Sequence, residues 1–145
     1  MSQENVDAVR EVMALLNRIT RGSDPGAERD LDAERDLLER ISPEVRIDMS
    51  RRVFNPDVYE GYVGLARLGR EIGDVWADFR ITPTQFVDAG DRVVVMETRA
   101  ARGAGSGVEV EQHAAVIWTL RAGRVVCMET DFDPQEALAA VGLGE

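Results

Sequence analysis

The sequence predicts an α+β fold in which helices from the N-terminal half pack on one face of an antiparallel sheet. Two observations carry this prediction. The C-terminal half contains strand-like runs separated by short turn segments, at residues 81–88, 92–102, 108–120 and 124–132. The N-terminal half contains segments in which apolar residues recur at the three- and four-residue spacing of amphipathic helices.

Length and composition are those of one ordinary globular domain, which we expect to span residues 1–145. The chain is 44% hydrophobic and 30% charged, and its formal net charge is −10. Nucleic acids and anionic membranes are poor partners for such a charge, because they are held largely through lysine and arginine. The longest uninterrupted apolar runs, such as residues 114–118, are too short to cross a membrane. The polar, acidic N-terminus lacks the order of a secretory signal, which favours the cytoplasm.

Three helices are expected in the N-terminal half. Apolar residues at helical spacing predict the first over residues 3–21. Residues 24–25, an aspartate and a proline, have the order of a helix cap and a first helical position, and they lead toward a second helix that ends before Pro43. The third helix follows an irregular connection at residues 50–63 and keeps helical spacing through Phe79.

The sheet is expected to begin with a short strand at residues 45–48, where apolar and charged residues alternate. The four later runs are joined by the segments AG, GAGSG and RAG, which are typical of β-hairpins. A final helix starts with Asp133 as its cap, Pro134 at the first helical position and Glu136 reaching back to the cap, and it ends at Gly142.

Several stretches of the sequence resemble the SnoaL-like branch of the NTF2-like superfamily: SQENVDAVREVMALLN, VYEGYVG, VWADFRITPTQFVDAGDRVVVMETRA, GSGVEVEQHAAVIWTLRAGRVVCMET and DPQEALAAVGL. The resemblance covers nearly the whole chain apart from residues 22–30. It implies a curved sheet that wraps around helices and forms a cone with an apolar pocket. Proteins of this fold often dimerise through the sheet. The superfamily includes ketosteroid isomerases, polyketide cyclases, epoxide hydrolases and non-catalytic modules.

Asp48 is the candidate catalytic base. The resemblance implies this role, because ketosteroid isomerases carry an aspartate base at the end of the first strand. An apolar cone would disfavour its charged form and raise its pKa toward a range useful for proton abstraction. A solvated strand-end aspartate is the alternative, and strand parity alone does not decide between them. Where those isomerases carry a tyrosine and an acid, this chain has Val12 and Val116, which argues against steroid isomerisation by the same route.

Glu97 and Arg99 form a second candidate site. Members that resemble limonene epoxide hydrolase carry an arginine–aspartate pair on the corresponding strand and an aspartate on the last strand, where the alignment places Thr130. The charge order is therefore reversed, and the last acid is missing. Glu97 and Arg99 share one strand face, which is either a pocket wall or the site of a salt bridge at the rim.

Three further residues are candidate catalytic groups. Cyclase-like members imply an acid at Asp131 or Asp133; Asp133 is better explained as a helix cap, and Asp131 could lie on either face of the sheet. His113, the only histidine, is expected to face away from the cone, toward a dimer interface. With one histidine and one cysteine, no zinc site of the usual ligands is expected.

The expected pocket takes a small apolar or cyclic molecule, with no cofactor and no metal. Its lining surrounds Asp48 and combines apolar and aromatic side chains with the Glu97–Arg99 pair: Met13, Leu16, Phe54, Tyr59, Tyr62, Trp76, Glu97, Arg99, Val116, Trp118, Met128 and Thr130. A homodimer through the sheet is also expected. Three functions stay open: a cofactor-free isomerase, cyclase or hydrolase; a binding protein without turnover; and an interaction module whose cone is filled by side chains.

Overall fold

The computed structural model describes residues 2–21, 30–52 and 56–143. In these ranges the elements follow in the order α1 (Ser2–Arg21), α2 (Leu31–Arg40), β1 (Ile41–Asp48), β2 (Val58–Glu60), α3 (Gly61–Val75), β3 (Trp76–Ala89), β4 (Arg92–Gly103), β5 (Glu109–Arg121), β6 (Arg124–Phe132) and α4 (Pro134–Ala140). The strands form one sheet in the order β2-β1-β6-β5-β4-β3. Neighbouring strands are antiparallel except β1 and β6, which run parallel. The predicted α+β architecture is confirmed.

The main hydrophobic core lies between the N-terminal helices and the inner face of the sheet. Helix α1 contributes Val9 and Val12, which are fully buried, because its apolar residues recur on one face. Val93 and Val95 of β4 and Val116 of β5 meet them from the sheet, as alternate strand residues point to the same side. No helix in the described ranges is both long and apolar enough to cross a membrane.

Helix α3 is shorter than its sequence pattern predicts. It ends at Val75, and the helical spacing that continues to Phe79 belongs instead to β3. The start of β3 pairs with the end of β4, so that Trp76 faces Gly103. Asp78 adopts a left-handed φ of +53° at the irregularity in this pairing. Non-local strand pairing therefore overrides the local helical period.

The connection before α3 also differs from the prediction. Residues 58–60 form the short edge strand β2 within a segment expected to be irregular, and β1 starts at Ile41, directly after α2. The predicted cap at residues 24–25 lies outside the described residues. Helix α2 is capped by Asp30, whose carboxylate accepts a hydrogen bond from the Ala33 N–H at 3.0 Å.

Helix α4 has the predicted capping box. Asp133 accepts a hydrogen bond from the Gln135 N–H, and the Glu136 side chain accepts one from the Asp133 N–H. The helix packs its buried Ala137 and Val141 on the outer face of the sheet, against the smaller apolar cluster formed by Val94, Ala115 and Ile117. The sheet is therefore covered on its inner face by the main core and on part of its outer face by α4.

Candidate functional site

A cavity of about 520 Å³ lies between the inner face of the sheet and helices α1 and α3. Alternate strand residues form much of its wall: Val45, Ile47 and Met49 at β1, Glu97, Arg99 and Ala101 on β4, and Val110, Gln112, Val116 and Trp118 on β5. Most of this lining is apolar. An open cavity contradicts the prediction of an interaction module whose cone is filled by side chains.

The structure brings part of the predicted lining together. The predicted residues that line the cavity are Leu16, Trp76, Glu97, Arg99, Val116, Trp118 and Met128. Met13, Tyr59 and Thr130 are buried in the core instead, and Phe54 lies outside the described residues. Tyr62 is not part of the wall, because its hydroxyl donates to the backbone carbonyls of Leu38 and Ile41 and so ties α3 to the α2–β1 junction.

Asp48 lies outside the cavity lining. Its neighbours Ile47 and Met49 line the cavity, so that Asp48 points to the other side of β1. Its carboxylate accepts a hydrogen bond from the Ser50 N–H at 2.9 Å and lies 3.4 Å from the Arg46 guanidinium. Hydrogen bonds from the Ser50 side chain and backbone are the main causes that lower the pKa of Asp48. The prediction that an apolar environment raises this pKa is wrong.

Arg99 joins two carboxylates in the cavity wall. Its Nε donates a hydrogen bond to Glu97 Oε2 at 2.7 Å, and its Nη1 donates to Asp131 Oδ1 at 2.7 Å. The hydroxyl of Thr130 donates to the other carboxylate oxygen of Asp131 at 2.9 Å. Glu97, Arg99 and Asp131, which we call the acid–arginine triad, are all largely buried. The Glu97–Arg99 pair is therefore part of the pocket wall rather than an exposed salt bridge at its rim.

Asp131 reaches the cavity because β6 contains a bulge. The register gives β6 one residue more than β5 between two cross-strand pairs, Ala115 with Phe132 and Ile117 with Glu129. Asp131 also has a left-handed φ of +66°. Residues 130–131 thus lie opposite the single residue Val116, and both are turned toward the protein interior. The sequence leaves the face of Asp131 open and places Thr130 at the position of the hydrolase acid; in the structure Asp131 lies beside Arg99.

Burial and neighbouring charges shift the pKa values of Glu97 and Arg99. Desolvation raises the pKa of Glu97, and the charge of Asp131 acts in the same direction, while Arg99 opposes the shift without cancelling it. Burial alone would lower the pKa of Arg99, but the two carboxylates outweigh it and its pKa is raised. The site therefore combines an acid held toward its neutral form, a permanent cation and a second carboxylate.

Charged residues that the sequence analysis did not select also line the cavity, namely Arg51, Arg52 and Glu71. The hydroxyl of buried Tyr59 donates a hydrogen bond to Glu71 at 2.9 Å and accepts one from Arg52 at 3.2 Å. The sequence contained a signal for Glu71, which lies between Leu68 and Ile72 of the predicted apolar stripe and so near the inward face of α3. No comparable signal identifies the two arginines.

Two other candidates lie outside the cavity. His113 is exposed on the outer side of the sheet, as predicted, with its Nδ1 3.1 Å from the Thr98 hydroxyl. Asp133 caps α4. Within the described parts of the chain, no group of three or more histidine, cysteine, aspartate or glutamate side chains is arranged to hold a metal ion.

Comparison with known proteins identifies solved structures with the same architecture. The chain superposes on an NTF2-like protein of unknown function from Burkholderia pseudomallei with a TM-score of 0.71 and 24% identity, over 98% of this chain and 99% of the other. It superposes on TerC, crystallised with polyporic acid, with a TM-score of 0.68 and 22% identity, over 95% and 98% of the two chains.

A third match is a protein with a ketosteroid isomerase-like fold from Catenulispora acidiphila, in complex with trimethylamine. Its TM-score is 0.64 and its identity 14%, over 91% of this chain and 92% of the other. No curated protein is significantly similar in sequence. The model of the SnoaL-like domain matches residues 9–128. The chain, with its helix-lined cavity against an NTF2-like sheet, therefore belongs to the SnoaL-like family.

Proposed function

We propose that this protein is a cofactor-free acid–base enzyme that adds water to a small, largely apolar molecule in the cavity. One observation carries the proposal: Arg99 is hydrogen-bonded to Glu97 and to Asp131 at the cavity wall. Two acids held by one cation can divide the roles of proton donor and proton acceptor, because their surroundings differ. This replaces Asp48, whose lowered pKa and position outside the cavity suit a structural aspartate.

A strained cyclic ether or a lactone is the substrate class that this chemistry suits. Asp131 accepts a proton from water as the water oxygen forms a bond to an electrophilic ring carbon. When the carbon–oxygen bond of an epoxide breaks, the leaving oxygen takes the proton of neutral Glu97. Exchange with solvent then returns a proton to Glu97 and removes one from Asp131. Arg99 orients both carboxyl groups through its hydrogen bonds to them.

The superfamily that this chain resembles includes epoxide hydrolases, which supports this class of reaction. Members that resemble limonene epoxide hydrolase carry an arginine–aspartate pair where this chain has Glu97 and Arg99 in reversed order. Thr130 stands at the position of their last-strand acid, and we assign that role to the neighbouring Asp131. The crystal of TerC with polyporic acid supports a small, cyclic and oxygenated occupant for a cavity of this fold. These comparisons carry no residue role by themselves, so the triad has to be tested directly.

Binding without turnover is the second candidate, and one observation favours it. Both carboxylate oxygens of Asp131 already accept hydrogen bonds, Oδ1 from Arg99 and Oδ2 from Thr130. A base engaged in this way must use its remaining lone pairs to receive a proton from water. If none points to the reacting water, the cavity holds a ligand without transforming it.

The test measures ring opening of cyclohexene oxide and γ-lactones in ¹⁸O-labelled water by mass spectrometry. We expect wild type to incorporate ¹⁸O into the product, and Glu97→Gln or Asp131→Asn each to lose about 10²-fold or more in rate. The matched control is Asp48→Asn, which removes a carboxylate outside the cavity and should stay within about twofold of wild type. The pH–rate profile of wild type should be bell-shaped, since one acid must be neutral and the other ionised.

Full turnover in the Asp131→Asn variant would overturn the proposed role of the triad. Saturable binding of these compounds without turnover in wild type would favour the binding function instead. Both variants should retain the far-ultraviolet circular dichroism of wild type, which separates a lost reaction from a lost fold.

A further inference from the structure

The indole nitrogen of Trp118 is a hydrogen-bond donor that the structure leaves without a partner. Trp118 is only 3% exposed, and it lines the cavity. Its Nε1 is the buried side-chain nitrogen or oxygen that finds no hydrogen-bond partner among the described residues. Buried polar groups are nearly always paired, so an unpaired one in the wall of a cavity indicates a place where a ligand completes the hydrogen bonding.

Trp118 lies on the part of the β5 wall that is covered from solvent, which we call the closed end of the cavity. Along the inward face of β5, exposure falls from Val110, which is 41% exposed, to Trp118. Its cross-strand neighbours are the buried Val93 on β4 and Met128 on β6. An apolar body that entered past Val110 would therefore bring its leading atoms to Trp118.

Trp118 and the acid–arginine triad lie on the same inward face of the sheet. Val116 lies opposite the bulge that holds Asp131, and Trp118 follows Val116 by two residues on the same face. Two residues of a strand span about 6–7 Å, and neighbouring strands lie about 5 Å apart. Asp131 and Trp118 are therefore close enough for one ligand to contact both.

The chemistry of indole specifies what the ligand offers. The Nε1–H group only donates, so its partner must be an acceptor such as a carbonyl, ether or lactone oxygen. The nitrogen is covered by protein atoms, so the acceptor has to displace a neighbouring side chain. Met128 is suited to this, since its unbranched side chain has three rotatable bonds and repacks easily.

We propose that Trp118 Nε1–H binds an acceptor oxygen of the ligand at the closed end of the cavity, remote from the reacting atoms. This role of Trp118 deepens the proposed function. It rests on that function in one respect only, namely that the ligand binds in the cavity. The ligand is then an apolar ring system with one oxygen at its buried end and its reactive carbon–oxygen bond toward Asp131. Trp118 is a specificity-determining residue, and hydrocarbons of the same shape bind without its help.

The test compares 2-decalone with decalin, which share a carbon skeleton and differ in one carbonyl oxygen. The indole proton of Trp118 is assigned in a ¹H–¹⁵N spectrum by its loss in Trp118→Phe. We expect 2-decalone to shift this resonance downfield and decalin to leave it near its original position. Trp118→Phe should weaken 2-decalone binding about three- to tenfold and change decalin binding by less than about twofold.

Trp76→Phe is the matched control, because Trp76 also lines the cavity but is only partly buried. It should not change the preference for 2-decalone over decalin. Equal weakening of both compounds by Trp118→Phe, or an unmoved indole resonance when 2-decalone binds, would overturn the proposal while leaving the triad untouched. Failure of both compounds to bind would overturn it too, together with the cavity as the ligand site. If wild type opened no ring while 2-decalone still shifted the Trp118 indole resonance, the result would count only against the proposed role of the triad.

Discussion

The pKa values of two carboxyl groups of this chain are shifted in opposite directions because their surroundings differ. Glu97 is buried in the cavity wall, and the loss of hydration raises its pKa despite the salt bridge to Arg99. Asp48 stays near the surface of β1, where hydrogen bonds from Ser50 lower its pKa. Burial favours the neutral form, and hydrogen-bond donors favour the charged form. The same functional group, a carboxyl, is thus suited to donate a proton in one place and to act as a fixed anion in another.

The raised pKa of Glu97 predicts a pH-dependent stability difference from the Glu97→Gln variant. From the ordinary value of 4.5 up to the raised pKa, the unfolded chain releases its proton while the folded chain keeps it. The folded state then binds more protons, so the Glu97 contribution to stability falls as pH rises through this window. Glutamine does not titrate, and we expect Glu97→Gln to gain stability relative to wild type as pH rises from 4.5 to the raised pKa of Glu97.

Urea unfolding at several pH values measures this difference. Asp48→Asn is the control with the opposite sign. The stability that ionised Asp48 adds is present above its ordinary pKa and is lost as pH falls through its lowered one. A Glu97→Gln difference that stays constant across the pH range would contradict the raised pKa.

At the scale of the element, two irregular positions of the strands shape the cavity wall. The bulge in β6 turns Asp131 toward Arg99, and the irregularity at Asp78 in β3 lies between two cavity residues, Trp76 and Phe79. Both aspartates adopt a left-handed φ, which costs an L-residue free energy unless the surrounding structure holds it. The β5–β6 hairpin has the same kind of strain at Ala122, where it serves no site.

The strain at Ala122 predicts that Ala122→Gly stabilises the protein. Ala122 has φ +52° and Gly123 has φ +76°, as the two central residues of this tight hairpin require. Glycine adopts this conformation without the clash of Cβ, so we expect a gain of about 1 kcal/mol in the free energy of unfolding. Thermal and urea unfolding measure it.

Ala89→Gly is the control for this substitution. Ala89 ends β3 beside another hairpin and lacks a positive φ, so glycine there should cost about 0.5–1 kcal/mol. If Ala122→Gly destabilised the protein as much as Ala89→Gly, the hairpin would not have the described turn conformation.

At the scale of the molecule, the two faces of the sheet differ in what they contact. The inner face encloses the cavity, and α4 covers part of the outer face. The rest of the outer face presents Thr98, Ala100, Glu111 and His113, which alternate with the inward residues of β4 and β5. His113, whose side chain is 77% exposed, marks this uncovered part. The homodimer through the sheet stays a prediction, and this is the surface it would use.

Light scattering after size exclusion tests the homodimer. We expect wild type to have twice the chain mass of 16.0 kDa. Ala100→Glu would place a charge in the interface and shift the protein toward the monomer, since a buried unpaired charge is costly. Val63→Glu on the exposed side of α3 is the control and should leave the mass unchanged. A monomeric wild type at micromolar concentration would rule out this dimer.

The sequence by itself determined the α+β class, the hairpins, the cap of α4 and the family, because these depend on local periodicity, turn residues and short motifs. It also placed Glu97 and Arg99 on one strand face, which β4 confirms as the cavity wall. It could not decide which face of the sheet Asp131 lies on. An alternating pattern does not reveal a bulge that forms only when β6 pairs with β5. Only the tertiary structure decided which acid meets Arg99, that Asp48 faces away from the cavity, and that Trp118 keeps an unpaired donor in its wall. Those outcomes depend on contacts between residues far apart in the chain.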